Sequence, residues 1–293
     1  MDLGASLWYN NGDLNTKNGI SKTLLDKEEN LREAVRDLGS AAVAFSSGVD
    51  STYLLHVASE VLPSRAVAFT AAPRSMPPAE LESAVRFCKS RGIRHEIVRF
   101  DEFSVPGFAE NLPDRCYHCK KALFGRFSDL ARELGLAAVL EGSNTDDSGD
   151  YRPGQRAIRE LGVLSPLADA GLSKAEIREL SRRAGLPTWR KPSAACLASR
   201  FPYGERITPE ALERVGKAES LLASIVGEDV PLRVRCHGTV ARIETARSAF
   251  PAILERAEEI SSALKSLGFA YTSLDLLGYR TGSLNAVLTS IQA

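Results

Sequence analysis

Ala41-Ala42-Val43-Ala44-Phe45-Ser46-Ser47-Gly48-Val49-Asp50-Ser51-Thr52 is the stretch that decides the fold. Its first five residues are small or apolar and suit a buried strand. Ser46, Ser47 and Gly48 make a turn, and a helix opens behind it with Leu54, Val57, Ala58 and Val61 at i, i+3, i+4 and i+7. Successive backbone N–H groups at such a helix start form an anion site. Ser46 and Ser51 add hydroxyl donors there, and Asp50 offers a carboxylate to Mg²⁺ beside a phosphate. The blander reading is an ordinary strand-to-helix turn capped by Ser or Asp, and the turn alone does not exclude it. The Gly-Lys-Ser/Thr ending of a Walker loop is absent.

The flanking sequence repeats the pattern. A helical stripe of Leu31, Ala34, Val35 and Leu38 starts after Asp26, and strand-like runs follow at 65–70, 93–100 and 136–141. Helices are expected at 78–91, around Leu123 to Leu134, and at 173–184, the last opening on a Ser173/Glu176 capping box. Strand and helix in alternation mean an α/β fold with a parallel sheet. After about Phe201 the pattern changes to a long helix at 208–226, two strands (232–236 and 239–245) around His237-Gly238, a helix at 252–267, and strands at 269–276 and 284–288. The expected organisation is a flexible extension over 1–24 with Trp8 and Tyr9 as anchors, an α/β domain over 25–203, and a small α+β domain over 204–293.

At 293 residues the chain has room for about two domains. Its 37 Lys+Arg balance 37 Asp+Glu, so it lacks the basic excess of a general nucleic-acid binder. No apolar run approaches the roughly 18 residues of a membrane span, and the polar start has no signal-peptide pattern. Five cysteines, an odd number, fit a reducing compartment, and a cytoplasmic location is expected.

Cys88 falls on the apolar stripe of its helix, and Cys236 alternates with Leu232 and Val234; both read as core. Cys116 and Cys119 form a C-x-x-C expected between the third strand and the following helix. Cys196 lies in a Pro/Ser/Ala-rich loop. The phosphate loop and the C-x-x-C belong to the carboxyl edge of the sheet, where open α/β sheets gather ligands. Three thiols fall short of the four ligands usual for structural zinc, and His118 is poorly spaced to join them. They can hold a [4Fe–4S] cluster with one iron open. A reducible disulfide or adventitious zinc is the alternative.

In the second domain, Glu219 shares the stripe of Leu212, Val215, Leu222 and Val226. A carboxylate there needs a partner, either in a salt bridge or in a ligand site it faces. Arg233, Arg235 and His237 alternate with Leu232, Val234 and Cys236 and project from the opposite face, which Arg242 and Glu244 share. Two arginines at i, i+2 can jointly grip a phosphate, or form a solvated charged face.

The loop at 46–51 resembles the S-G-G-x-D-S motif of the PP-loop ATP pyrophosphatases, with Ser47 replacing the first glycine. Its Cβ would narrow the backbone's approach to pyrophosphate. Further segments resemble the LarE-type ATP-dependent sulfur transferases of that superfamily: Cys116-Tyr117-His118-Cys119-Lys120, Glu141-Gly142-Ser143-Asn144-Thr145-Asp146-Asp147, Asp150-Tyr151-Arg152-Pro153-Gly154, Lys191 to Arg200, Ala241-Arg242-Ile243-Glu244 and Leu274 to Arg280. The resemblance implies a PP-loop domain followed by a smaller α+β domain. It implies ATP with Mg²⁺ held by Ser46, Ser47, Gly48, Asp50, Ser51, Thr70 and Gly142, and adenylation of a substrate carboxylate. The implied substrate is a pyridinium biscarboxylate mononucleotide, bound by Ser199, Arg200, Arg233, Arg235 and Glu244. Its thiocarboxylate product is a precursor of the nickel-pincer nucleotide of lactate racemase. Cys196, Asp50 and Glu219 are the implied catalytic residues, and Cys116, Cys119 and Cys196 the implied ligands of a [4Fe–4S] cluster, as in one subset of the family. Other members surrender the sulfur of the residue matching Cys196, so the sulfur source stays open between the two. A homo-oligomer, such as a hexamer, is also implied. tRNA thiolation, amide formation by a PP-loop ligase and a non-catalytic metal scaffold are the competing readings.

Overall fold

The structure is a computed structural model and describes residues 21–149, 153–193 and 195–285. The expected extension up to residue 20, Asp150-Tyr151-Arg152 and the end of the last expected strand lie outside these residues.

Helix α1 (Lys22–Asp37) starts earlier than the periodicity suggests, because Ser21 caps it by accepting from the Leu24 N–H at 3.2 Å. Leu24 already packs in the core with Leu31 and Val35. Strands β1 (Ala41–Ala44), β2 (Ala66–Ala72), β3 (Arg94–Arg99) and β4 (Ala138–Leu140) form one sheet in the order β3-β2-β1-β4, all pairs parallel. Helices α2 (Val49–Val61), α3 (Pro78–Ser90), α4 (Arg115–Glu133), α5 (Pro153–Glu160), α6 (Pro166–Asp169) and α7 (Lys174–Arg183) accompany it. Alternate residues of the inner strands feed different cores. Ala41, Val43, Ala66 and Ala68 pack with Leu54, Leu55 and Ile177, whereas Ala42, Val67 and Phe69 pack with Phe124 and Phe127. Strand order reverses at β1, with β2 on one side and β4 on the other, so the loop after β1 sits at the switch point where such sheets bind ligands.

The smaller unit is built on α8 (Pro209–Val226), β5 (Leu232–His237), β6 (Val240–Thr245), α9 (Phe250–Glu255), α10 (Ala257–Ser266) and β7 (Tyr271–Leu274). α8 has Pro209 in its first turn and ends at Gly227, whose φ of 100° and ψ of 145° suit glycine alone. β5 and β6 are antiparallel, and β7 lies parallel to β6. The single helix expected at 252–267 is two helices, parted at Arg256, which leaves the helical region at φ −108°. The strand expected from Leu284 begins instead as a 3₁₀ turn, Ser283–Asn285. This unit's core includes Leu197, Ala198 and Phe201 together with Val105 and Phe108, so the Cys196 loop and the segment before α4 are packed into it.

Candidate functional site

β1 delivers its chain into a tight turn. The Phe45 N–H donates to Phe69 O at 2.8 Å, and the Thr70 hydroxyl donates to Phe45 O at 2.8 Å. Thr70 is fully buried and also contacts His95 Nε2 at 2.8 Å, so its hydroxyl is spent on fixing the start of the loop. Ser47 adopts φ 59°, the left-handed conformation a glycine takes without cost and an ordinary residue holds at about 1–2 kcal/mol. Its side chain is buried and donates to Ser83 Oγ at 3.0 Å, so the Cβ expected to narrow the cradle is housed against α3. Gly48 begins α2 without a side-chain cap, which leaves the first N–H groups of that helix to an anion. The Ser46 and Ser51 hydroxyls lie 3.0 Å apart, and Ser51 Oγ also accepts from the Ser46 N–H.

Gly142, just after β4, closes the other wall. A Cβ there would lie 3.1 Å from Ser51 N and 3.3 Å from the Asp50 Cβ. Asp50 Oδ2 accepts a short bond from Lys174 Nζ, while Oδ1 is buried with no hydrogen-bond partner among the described residues. Burial raises the Asp50 pKa above the usual carboxylate value, against the pull of Lys174. An orphaned, desolvated carboxylate oxygen beside an anion-ready loop fits a hard divalent cation. Lys174 escaped the sequence reading, although it follows the capping-box Ser173 that holds the start of α7.

The C-x-x-C does not precede the helix. Both cysteines lie in the first turns of α4, which begins at Arg115 rather than near Leu123. Cys116 is exposed and Cys119 half-buried. Burial of the sulfurs raises both thiols, Cys119 to about 12, and the next contribution in each is the charge of Cys196. Cys196 therefore lies within electrostatic reach of both thiols. Among the described residues, no group of three or more His, Cys, Asp or Glu side chains is arranged to hold a metal, so the thiols are neighbours without a finished cage. The donor chemistry suits iron–sulfur ligation, and bringing the sulfurs to one cluster needs adjustment of an exposed loop. His118 pairs with Asp114 at 3.1 Å. Cys88 and Cys236 are core residues, as their spacing implied.

The chain from Lys191 to Arg200 ties these parts together. Lys191 Nζ donates to Ser47 O at 3.0 Å and pairs with Glu80 at 2.5 Å. The Leu197 N–H donates to Ser75 O at 2.8 Å, in the turn that follows β2. Arg200 makes two bonds to Glu219, at 2.7 and 2.9 Å, and reaches Ala195 O and Ser199 Oγ. Glu219 also accepts from the Val234 N–H at 2.8 Å, so of its two sequence readings the salt bridge is the one seen. Arg235 and Arg233 are not a free pair. Arg235 is buried against Glu244, which is fully buried, and donates to Ser199 O at 2.6 Å. Arg233 donates to Tyr279 Oη at 2.9 Å, with its guanidinium 5.1 Å from that ring. Tyr279 and Lys191 lay within noticed motifs but carried no signal of their own.

Fold and site together describe an α/β protein with an anion-ready loop at the switch point of a parallel sheet, joined by the loop that carries Cys196 to an arginine-rich small sheet. No family model matches the chain. It is 36% identical over 271 residues, covering 92% of its own length and 98% of the relative, to the pyridinium-3,5-bisthiocarboxylic acid mononucleotide synthase of Lactiplantibacillus plantarum. The chain therefore belongs to the LarE-type family, that of this synthase. It is also similar to uncharacterized proteins of Synechocystis sp., at 44% over 91% of the chain and 99% of the relative, and Methanocaldococcus jannaschii, at 28% over 89% and 98%. No described helix is long and apolar enough to cross a membrane.

Proposed function

We propose that the chain is an ATP-dependent sulfurtransferase that turns carboxylates of a pyridinium biscarboxylate mononucleotide into thiocarboxylates through an acyl-adenylate. The observation that supports this most is the loop from Lys191 to Arg200, which touches the phosphate loop at Ser47, carries Cys196, and ends on the Arg200–Glu219 pair. One short segment thus spans the nucleotide, sulfur and substrate ends of a single reaction.

The reading runs as follows. The N–H groups at the start of α2 receive the ATP phosphates, and Asp50 would hold Mg²⁺, which neutralises phosphate charge as AMP passes to the substrate. A carboxylate oxygen attacks the α phosphorus and pyrophosphate departs. The mixed anhydride gives its carbonyl carbon a good leaving group. A sulfur nucleophile then forms the C–S bond and AMP leaves with the oxygen. Arg233, Arg200 and Ser199 line the route by which the substrate reaches Cys196, while Glu219 and Glu244 hold Arg200 and Arg235. Cys116, Cys119 and Cys196 would hold a [4Fe–4S] cluster, which when bound would supply renewable sulfur. The second reading is sacrifice of the Cys196 sulfur. The exposure of that thiol and the lack, among the described residues, of a finished ligand cage favour it. A cytoplasmic enzyme in a homo-oligomer completes the proposal.

The test is anaerobic purification followed by incubation with ATP, sulfide and the mononucleotide. The cluster reading expects about four irons per chain, by cluster stoichiometry, and repeated turnover. Sacrifice expects an iron-free chain that loses one sulfur and stops after one transfer. Asp50→Ala should fold and lose AMP formation in either case. Undiminished AMP release by that variant would remove the nucleotide assignment.

A further inference from the structure

The side chain of Lys191 crosses from the Cys196 loop to the back of the phosphate loop. Its ammonium donates to Ser47 O at 3.0 Å and pairs with Glu80 of α3 at 2.5 Å, and both residues are half-buried. The backbone from which it reaches is itself fixed. Arg178 of α7 donates to Trp189 O at 2.7 Å and to Lys191 O at 2.8 Å, and the Lys191 N–H donates to Thr188 O at 2.9 Å. α3 supplies a second hold, because Ser83, three residues after Glu80, accepts from the Ser47 hydroxyl at 3.0 Å. Ser47 is thus gripped by its carbonyl and by its hydroxyl, and it is the residue at φ 59°, where a glycine needs no such support.

The carbonyl contact has a consequence for the next residue. A trans peptide unit is planar, with its C=O and N–H on opposite edges. Holding Ser47 O toward Lys191 and Glu80 therefore turns the Gly48 N–H to the other side of the loop. Among the described residues that N–H has no hydrogen-bond partner, and Gly48 is the cap position of α2, where N–H groups are open to an anion. The charge of Lys191 is already matched by Glu80, which favours a hold on the peptide over direct contact with a phosphate.

We propose that Lys191 is a positioning residue of the nucleotide site: by holding Ser47 O it fixes the Ser47–Gly48 peptide so that the Gly48 N–H faces the phosphates. The segment that carries Cys196 thereby becomes part of the framework of the phosphate loop. The proposal rests on the reading of residues 46–51 as an ATP loop, and does not depend on which sulfur source operates.

Equilibrium binding to the full-length protein tests it without turnover, with Mg·ATP, inorganic pyrophosphate and adenosine as probes. Lys191→Met should lower the affinity for ATP and for pyrophosphate about tenfold, the worth of one charge-assisted hydrogen bond. It should leave adenosine, which has no phosphate, at its wild-type affinity. Glu80→Gln frees the ammonium from its partner and should not raise pyrophosphate affinity, because a positioning lysine gains nothing from an unmatched charge. Unchanged ATP and pyrophosphate affinity in a Lys191→Met protein with a native melt overturns the proposal. An equal loss for adenosine does so too, since it would mean general damage to the fold. A rise in pyrophosphate affinity in Glu80→Gln would mark Lys191 as a direct phosphate ligand and also overturn it. If Lys191→Met fails to fold, the shorter and neutral Lys191→Gln decides by the same measurements. A wild type that binds neither ATP nor pyrophosphate ends the nucleotide reading, and the proposal with it.

Discussion

A single backbone position can hold a nucleotide loop in shape. Gly142 is such a position, since a side chain there meets backbone and Cβ atoms at 3.1 and 3.3 Å rather than the end of a flexible chain. Gly142→Ala should therefore push Ser51 and Asp50 away from the sheet. We expect stability to fall by about 1–3 kcal/mol, the usual cost of overpacking, and ATP affinity to fall with it. Calorimetric titration and a denaturant melt would show both, and an unchanged ATP affinity would mean that the wall is more yielding than its contacts imply. Ser47 makes the complementary point. The sequence reading saw a Cβ where its motif has glycine and expected a narrower cradle, whereas the side chain turns to Ser83 on α3. Only the backbone angle decides which way a Cβ points, and that angle is not written in the residue type.

At the level of one strand, β5 carries two arginines with different tasks. Alternation correctly separates Arg233 and Arg235 from Val234 and Cys236, which pack in the small core. It does not say that a partner strand brings Glu244 against Arg235. Arg235→Ala should remove one of the two guanidinium partners of a fully buried carboxylate, which keeps Arg242 at 2.9 Å, and cost about 1.5–3 kcal/mol of stability, so any loss of substrate binding in that variant is mixed with loss of fold. Arg233→Ala leaves a phenol rather than a charge. It should keep a near-native melt and weaken the mononucleotide more than ATP. Paired melts and titrations of the two variants check this; equal destabilisation would refute the division of labour. The start of α4 escaped the periodicity for a related reason. Its first turn carries two cysteines and a histidine rather than an apolar stripe, and the helix is held there by Arg115, Asn111 and the Cys196 loop.

For the whole molecule, pH is an informative variable. Burial lowers the pKa values of His95 and His237, and His237 Nε2 is buried without a hydrogen-bond partner among the described residues. Unfolded imidazoles take up a proton near pH 6.5, while the folded ones stay neutral to lower pH. Their contribution to stability is therefore complete above about pH 6.5 and is lost as the pH falls through the folded values. Urea midpoints should decline below that pH, and a His95→Gln/His237→Gln variant should decline less; parallel curves would assign the loss to other groups. Much of this molecule was legible in its residues, because local patterns record local physics. Period-2 and period-3.6 runs marked the strands and most helices of the parallel sheet, the Ser/Gly turn marked its carboxyl edge, and a helical stripe for Cys88 and alternation for Cys236 told the core cysteines from the other three. The tertiary structure alone decided the partners: Lys174 on Asp50, Glu219 on Arg200 and Glu244 on Arg235. Those pairings join residues far apart in the chain, and their energies come from desolvation and from charges brought together only by packing, which no local spacing encodes.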